Sequence, residues 1–174
     1  MFKQRFGYMA LFMTLALAGC GSSSIGGGDP VPLNSTVKIN PSSITWTIPA
    51  PLATPCVVDF NNHNDTPIAI SVLDSSQSPL GNIGIRVLAD LSGNTYSGSP
   101  VLKVYDDLNG NGVVDDPAEL VSSNTSPAFN TFTDKYTGTK NILLRVNLSC
   151  PYSGNLYVFA GAAFASINIV VKTP

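Results

Sequence analysis

The chain has 174 residues, nine basic and eleven acidic, with a formal net charge of −2 and a pI near 5.1. That balance leaves no cationic surface for a polyphosphate backbone, which excludes nucleic acid as a partner. Only 11% of the residues are charged, Gly, Pro, Ser, Thr and Asn are plentiful, and no long Ala/Leu/Glu/Lys-rich stretch occurs, which is the composition of an exported all-β protein.

The first element is an apolar run from Phe6 to Ala18 behind Lys3 and Arg5. A membrane-spanning helix takes about 20 apolar residues, so this run is too short to span but suits the core of a secretory signal. It ends in Leu17-Ala18-Gly19-Cys20, which resembles the lipobox of bacterial lipoprotein precursors. The resemblance implies that residues 1–19 are a signal peptide and that Cys20 becomes the first residue and carries the lipid. The alternative is a signal cut elsewhere, with Cys20 bare. Several acyl chains, at about 0.8 kcal/mol per buried methylene, anchor a protein stably without a span. Gly21 and Ser22 follow the cysteine, where many lipoproteins retained in the inner membrane carry aspartate. The expected location is therefore the outer membrane, lipid-anchored, on its periplasmic face or at the cell surface.

Residues 20–36 read as a lipidated flexible tether, Gly/Ser-rich and then bearing Pro30 and Pro32, with no packed structure. From 37 to 174 the apolar residues recur with a period of two. Val37 and Ile39, then Ile44, Trp46 and Ile48, make two short strands separated by Pro41. Cys56, Val58 and Phe60 alternate before an Asn61–Asp65 turn. Ile68, Ile70 and Val72 form one strand and Ile83, Ile85, Val87 and Ala89 another, joined by a polar loop. Leu102 and Val104 mark the next. The clearest strand runs through Ile142, Leu144, Val146 and Leu148, with Arg145, Asn147 and Ser149 facing out. Leu156–Val158 and Ala165–Val171 finish the chain. Eight to ten such runs without an amphipathic helix predict an antiparallel β-sandwich, with a closed barrel as the competitor.

The run Pro67–Asp74 followed by Pro79–Val87, and the later Thr133–Gly138 turn leading into Ile142–Leu148, is similar to bacterial immunoglobulin-like domains of the invasin and intimin group. That resemblance, over about residues 67–171, implies an immunoglobulin-like sandwich used for display and protein contact. The insertion between Tyr105 and Phe132 departs from it, as does the cysteine pair.

Three cysteines become an even number once Cys20 is lipidated, leaving Cys56 and Cys150 for one disulfide, with two free buried thiols as the alternative. Five of the eleven acidic residues fall between Asp106 and Glu119. Alternating oxygen ligands with a glycine at the sixth position are what a loop needs to wrap calcium. Asp107, Asn109, Asn111 and Gly112 fit positions one, three, five and six, with the Val113 carbonyl at seven and Asp115 at nine. Position twelve is Ala118, so Glu119 comes one residue late and Asp116 could substitute. The run resembles the calcium loops of dockerins and of B-type adhesin repeats, which implies a Ca2+ ion of weak to moderate affinity. Two structural alternatives compete: an Asn-Gly hairpin turn, and a capped helical turn at Asp116–Glu119.

His63 is the only histidine, and no phosphate loop or CxxC motif occurs, so no enzyme is expected. Tyr96, Tyr105, Tyr136, Tyr152, Tyr157 and Trp46 could form a sugar-stacking platform, making carbohydrate an alternative partner. The function these features predict is structural, adhesive or protein-binding, through an unidentified protein partner. A periplasm-facing accessory of a secretion or pilus assembly is the second reading and a carbohydrate-binding module the third.

Overall fold

The computed structural model describes residues 26–48, 56–59, 61–90, 95–96, 99–121 and 127–174. The signal run and Cys20 lie outside them. The described strands are β1 (Thr36–Asn40), β2 (Ser43–Thr47), β3 (His63–Leu73), β4 (Gly84–Ala89), β5 (Thr95–Tyr96), β6 (Ser99–Pro100), β7 (Leu102–Asp106), β8 (Ala128–Phe132), β9 (Thr139–Asn147), β10 (Tyr152–Ala160) and β11 (Ala163–Lys172). The one described helical element is a 3-10 turn, Pro117–Glu119.

Two sheets face each other, one ordered β1-β3-β9-β7 and the other β2-β11-β10-β4-β8, with the β5-β6 hairpin apart. Period-two alternation supplies the inner layers. Ile68, Ile70 and Val72 of β3 and Ile142, Leu144 and Val146 of β9 meet Leu156 and Val158 of β10 and Ile167, Ile169 and Val171 of β11, all essentially inaccessible. Each such side chain contributes about 1.5–3 kcal/mol relative to exposure. The architecture is an immunoglobulin-like β-sandwich, as the alternation predicts.

Several local expectations are corrected. The sandwich is not wholly antiparallel, because β2 runs parallel to β11, with Ile44 opposite Ile169 and Trp46 opposite Val171. β1 joins one sheet and β2 the other, and the Asn40–Pro41 bond between them is cis. The Asn61–Asp65 turn is shorter than expected, since β3 begins at His63 and pairs residue by residue with β9 from Asn147 onward. Ladder hydrogen bonds there override the turn preference of Asn and Asp. Residues 56–59 form no strand. Side chains hold them instead. The Asn147 carboxamide donates to the carbonyls of Asp59 and Asn62 and accepts from the Ser149 N–H, so Asn147 is fully buried rather than facing out. β8 was not legible as a strand.

The tether reading fails for its described part. The Asp29 N–H donates to the Asn82 carbonyl at 2.8 Å, Asp29 bridges Ile83, and Val31 is buried. Folded packing therefore begins near residue 29, not 37.

The two stretches that resemble the invasin group interlock. The Thr133 hydroxyl donates to the Leu80 carbonyl and accepts from the Ile83 N–H. Gly138, at φ 65°, lies where a β-carbon would come within 2.6 Å of Pro79. Left-handed backbone and this close approach both require glycine there.

Cys56 and Cys150 are bonded, with Cα atoms 5.8 Å apart and a sequence separation of 94. Closing so long a loop stabilises the fold by about 4 to 5 kcal/mol on the chain-entropy model. Replacing both cysteines with serine should lower the urea unfolding free energy by roughly 2–5 kcal/mol, and reduction of the parent protein should reproduce the loss.

Two exposed aspartates organise the turns. Asp74 accepts from the N–H groups of Ser76 and Ser78 and from the Ser76 hydroxyl, and Asp134 accepts from the N–H groups of Tyr136 and Thr137. These hydrogen bonds, led by the Ser76 hydroxyl for Asp74 and by the Thr137 N–H for Asp134, hold both carboxyls below the usual carboxylate range. Their contribution to stability is complete above about pH 4 and is lost as pH falls through the lower folded pKa. The urea midpoint should fall below about pH 4, with a shallower acid limb in Asp74→Asn/Asp134→Asn. An unchanged limb would remove these turns from the acid response.

Candidate functional site

Asp106 closes β7 on the same inward parity as Leu102 and Val104. Its carboxylate is buried and meets the Lys140 ammonium, which enters from the start of β9 at the inward parity of Ile142. The chain then leaves the sheet and returns at Leu120, which bridges back to Tyr105 while the Val121 N–H donates to the Val104 carbonyl at 3.1 Å. Residues 107–119 are thus a closed loop with both ends pinned to one ladder. They are not the simple Asn-Gly hairpin turn.

The loop's polar side chains bond within the loop, with Asn109, Asn111 and Asp115 exposed. Asp107 Oδ2 accepts from the Gly112 N–H at 3.2 Å, Asn109 Oδ1 from the Asn111 N–H at 3.0 Å, and Asn111 Oδ1 from the Val113 N–H at 2.8 Å. The carboxamide nitrogens of Asn109 and Asn111 donate to the two oxygens of Asp115, at 3.1 and 2.6 Å. Gly112 makes the sharp bend expected at the sixth position, at φ 72°. Positions three, five and nine are therefore brought together through the two carboxamide nitrogens, while position one holds the bend at Gly112.

The capped turn is also present. Asp116 Oδ1 accepts from the Ala118 N–H at 2.8 Å, with Pro117 at the first helical position. The turn carries Glu119 back under the loop, where it is fully buried and its Oε2 accepts from the Asp115 N–H at 3.4 Å. Asp116 caps this turn and is exposed. The Val113 side chain points to solvent, leaving only its carbonyl for a ligand role.

Two buried carboxylate oxygens, Asp107 Oδ1 and Glu119 Oε1, have no hydrogen-bond partner. Asp106 Oδ1 also lacks a hydrogen-bond donor by angle, but the Lys140 ammonium touches it, so it is paired. Among the described residues no three His, Cys, Asp or Glu side chains lie close enough together to hold a metal by themselves. The loop's remaining oxygens are those of carboxamides and backbone.

The other candidate residues do not converge. His63 Nε2 lies 3.7 Å from Asp65, but Asp65 is held by two hydrogen bonds from Arg145, at 2.7 and 2.6 Å, which raise the guanidinium pKa further. Arg145 also lies over the Tyr105 ring, 5.3 Å from its centroid. Tyr105 and Tyr152 are buried, and burial pushes the Tyr152 phenol well up while its hydroxyl donates to the Asp90 carbonyl. Trp46 packs against the core, whereas Tyr136 stands alone on an exposed turn. The side chain of Tyr96 lies outside the described residues. The expected six-residue sugar platform is not formed. Tyr157 instead stacks with Phe159, and Phe159 with the exposed Phe164, on the outer face of the five-stranded sheet.

No protein-family model matches the chain, and no curated protein does. Solved structures resemble it in fold. The surface-layer protein SbsC, domains 1–6, is 7% identical over 80% of this chain and 13% of its own length, with a TM-score of 0.41. The PapD-like domain 7 of human CEP192 is 10% identical over 80% of this chain and 85% of its own, at 0.40. A glycosyl hydrolase family 2 member from Bacteroides cellulosilyticus is 14% identical over 79% of this chain and 14% of its own, at 0.42. The chain thus spans about an eighth of the SbsC fragment and about a seventh of the hydrolase. Among the described residues no helix is long and apolar enough to cross a membrane.

Lys140 was missed as a site residue, although a lysine at the inward parity of an otherwise apolar strand is a readable signal for a buried acidic partner. Lys140→Met should destabilise the fold by about 3–5 kcal/mol, because it leaves Asp106 buried without its counter-charge. Adding Asp106→Asn should recover much of that loss in the same urea titration. A single variant as stable as the parent would show the pair to be dispensable.

Proposed function

We propose that this is a non-enzymatic, lipid-anchored display domain of the outer membrane, whose loop 107–119 binds one calcium ion and serves a structural or adhesive role. The observation that carries the calcium reading is the pair of unpartnered buried oxygens on Asp107 and Glu119. Asp106 is met by the Lys140 ammonium, whereas Asp107 Oδ1 and Glu119 Oε1 are buried with no hydrogen-bond partner among the described residues. Buried carboxylates left without partners are costly, and a divalent cation would offset that cost.

The residues that would hold it are Asp107, Asn109, Asn111, the Val113 carbonyl, Asp115 and Glu119, an all-oxygen set suited to a hard cation. Bound there, calcium supplies charge neutralisation and rigidity and no bond chemistry. Asn at two positions lowers the ligand charge, which favours the 10⁻⁴ to 10⁻³ M range of extracellular modules. The proposed anchor at Cys20 rests on the sequence Leu17–Cys20, and the disulfide supports an oxidising compartment.

Titrating the chelator-treated protein with calcium chloride in a calorimeter should give one binding event. The heat should vanish in Asp107→Ala and Glu119→Gln and persist in Asp116→Ala. A parent protein that gives no heat ends the calcium reading. The anchor is tested by growing expressing bacteria with a clickable palmitate, where label should follow the parent and be absent from Cys20→Ala.

A further inference from the structure

A sheet edge is a row of unpaired backbone groups that another strand can complete, and monomeric folds blunt it with charge, proline or a cover. The two facing sheets have four edges, β1, β7, β2 and β8, and three are blunted. The edge of β7 is covered, because Leu120 bridges Tyr105 and the Val121 N–H donates to the Val104 carbonyl. β1 carries the exposed Lys38 at its centre. β8 is engaged at both ends, where Gly28 lies against the Phe132 ring and Ala128 has a further partner. β2 has none of these devices. Its run Ser43-Ile44-Thr45-Trp46-Thr47 holds no charge and no proline, and among the described residues only β11 pairs with it.

The register shows which of its groups are free. The Ile48 N–H, just past the end of β2, donates to the Lys172 carbonyl at 2.9 Å, so the even-numbered residues of β2 turn their backbone toward β11. Successive residues point opposite ways, and the N–H and C=O groups of Ser43, Thr45 and Thr47 therefore face outward. The side chains of these three are exposed, while Ile44 is buried and Trp46 is half-buried against the core.

This edge is complementary to itself. Set antiparallel to a second copy about a two-fold axis, it places Thr45 of one copy opposite Thr45 of the other, and Ser43 opposite Thr47. Each such pair exchanges two backbone hydrogen bonds, so every outward group is used. Between them Ile44 meets Trp46 in pairs whose side chains stand closer, which covers the half-buried indole. Aromatic with β-branched, and Thr with Ser or Thr, are favourable cross-strand pairs. The same operation on β1 would set Lys38 against Lys38, a destabilising pair of like charges.

We propose that the protein forms a two-fold dimer through β2, joining the two five-stranded sheets into one continuous sheet. A contact of this isologous kind closes on itself and stops at two copies. It depends on neither the lipid nor the calcium loop.

The test is disulfide trapping in producing cells, read on non-reducing gels. Hydrogen-bonded antiparallel pairs hold their Cα atoms about 5.5 Å apart, within disulfide reach. Thr45→Cys should therefore give a cross-linked dimer, whereas Ser43→Cys should not, because it faces Thr47 of the other copy. Sedimentation velocity of the purified protein carrying Cys20→Ala, so that no acyl chain contributes, should show monomer–dimer exchange across a concentration series. Adding Thr45→Lys sets like charges opposite each other and should weaken the dimer roughly tenfold or more. The urea midpoint, taken at concentrations where the parent is monomeric, should not change. A protein monomeric at every concentration overturns the proposal, as does a dimer indifferent to Thr45→Lys. A Thr45→Cys protein that cross-links to a different protein, or not at all, overturns it equally.

Discussion

The alternation along β9 is the constraint on which the rest of the molecule depends. This strand lies between β3 and β7, so both of its edges are committed and its register is fixed. Its inward residues, Ile142, Leu144 and Val146, form the centre of one core layer. The same register aims Lys140 at Asp106, sets Arg145 against Asp65, and buries the Asn147 carboxamide under the arm that carries Cys56. A slip of one residue would turn every one of these groups to the opposite face. The polar contacts are therefore consequences of the apolar pattern.

How much of this was legible follows from where the signal is local. Period-two alternation identified β3, β4, β9 and β11 because each lines one core layer with apolar residues, although β9 also buries Leu143 on its other face. It missed β8, whose Phe129 and Phe132 have opposite parities and lie on the two faces of an edge strand. It also missed the parallel pairing of β2 with β11, because parallel and antiparallel partners leave the same alternation in a short strand. Asn61–Asp65 read as a turn from composition, yet pairing with β9 draws residues 63–65 into a ladder. The docking of Val31 was hidden because one apolar residue between two prolines carries no period.

The loop was legible in part for the same kind of reason. Alternation of Asp and Asn from Asp107 to Asp115 is readable because each Asn sets its own local bend, its side-chain oxygen accepting the N–H two residues on. Beyond this point a 3-10 turn changes the rise and direction of the chain, so residue counting places Glu119 one position late while the folded turn delivers it beneath the loop. The cap that makes this turn is Asp116, the residue that counting offered as a replacement ligand. The capped turn, one of the sequence readings, is what seats Glu119 in the core.

Rigidity is what joins the proposed ion site to the rest of the domain. A flexible loop of this length would lose conformational entropy on wrapping an ion, at about 1–2 kcal/mol for each residue ordered. Here the Tyr105–Leu120 bridge already brings the ends together, and the Asx turns at Asn109 and Asn111 already set the local bends. The remaining cost of order is small, so the electrostatic term decides the outcome. That term grows with burial, and burial at Asp106, Asp107 and Glu119 is imposed by the core beneath them. The sandwich thus acts on the loop through desolvation, because the core beneath it holds Asp107 Oδ1 and Glu119 Oε1 where neither water nor a described donor reaches them.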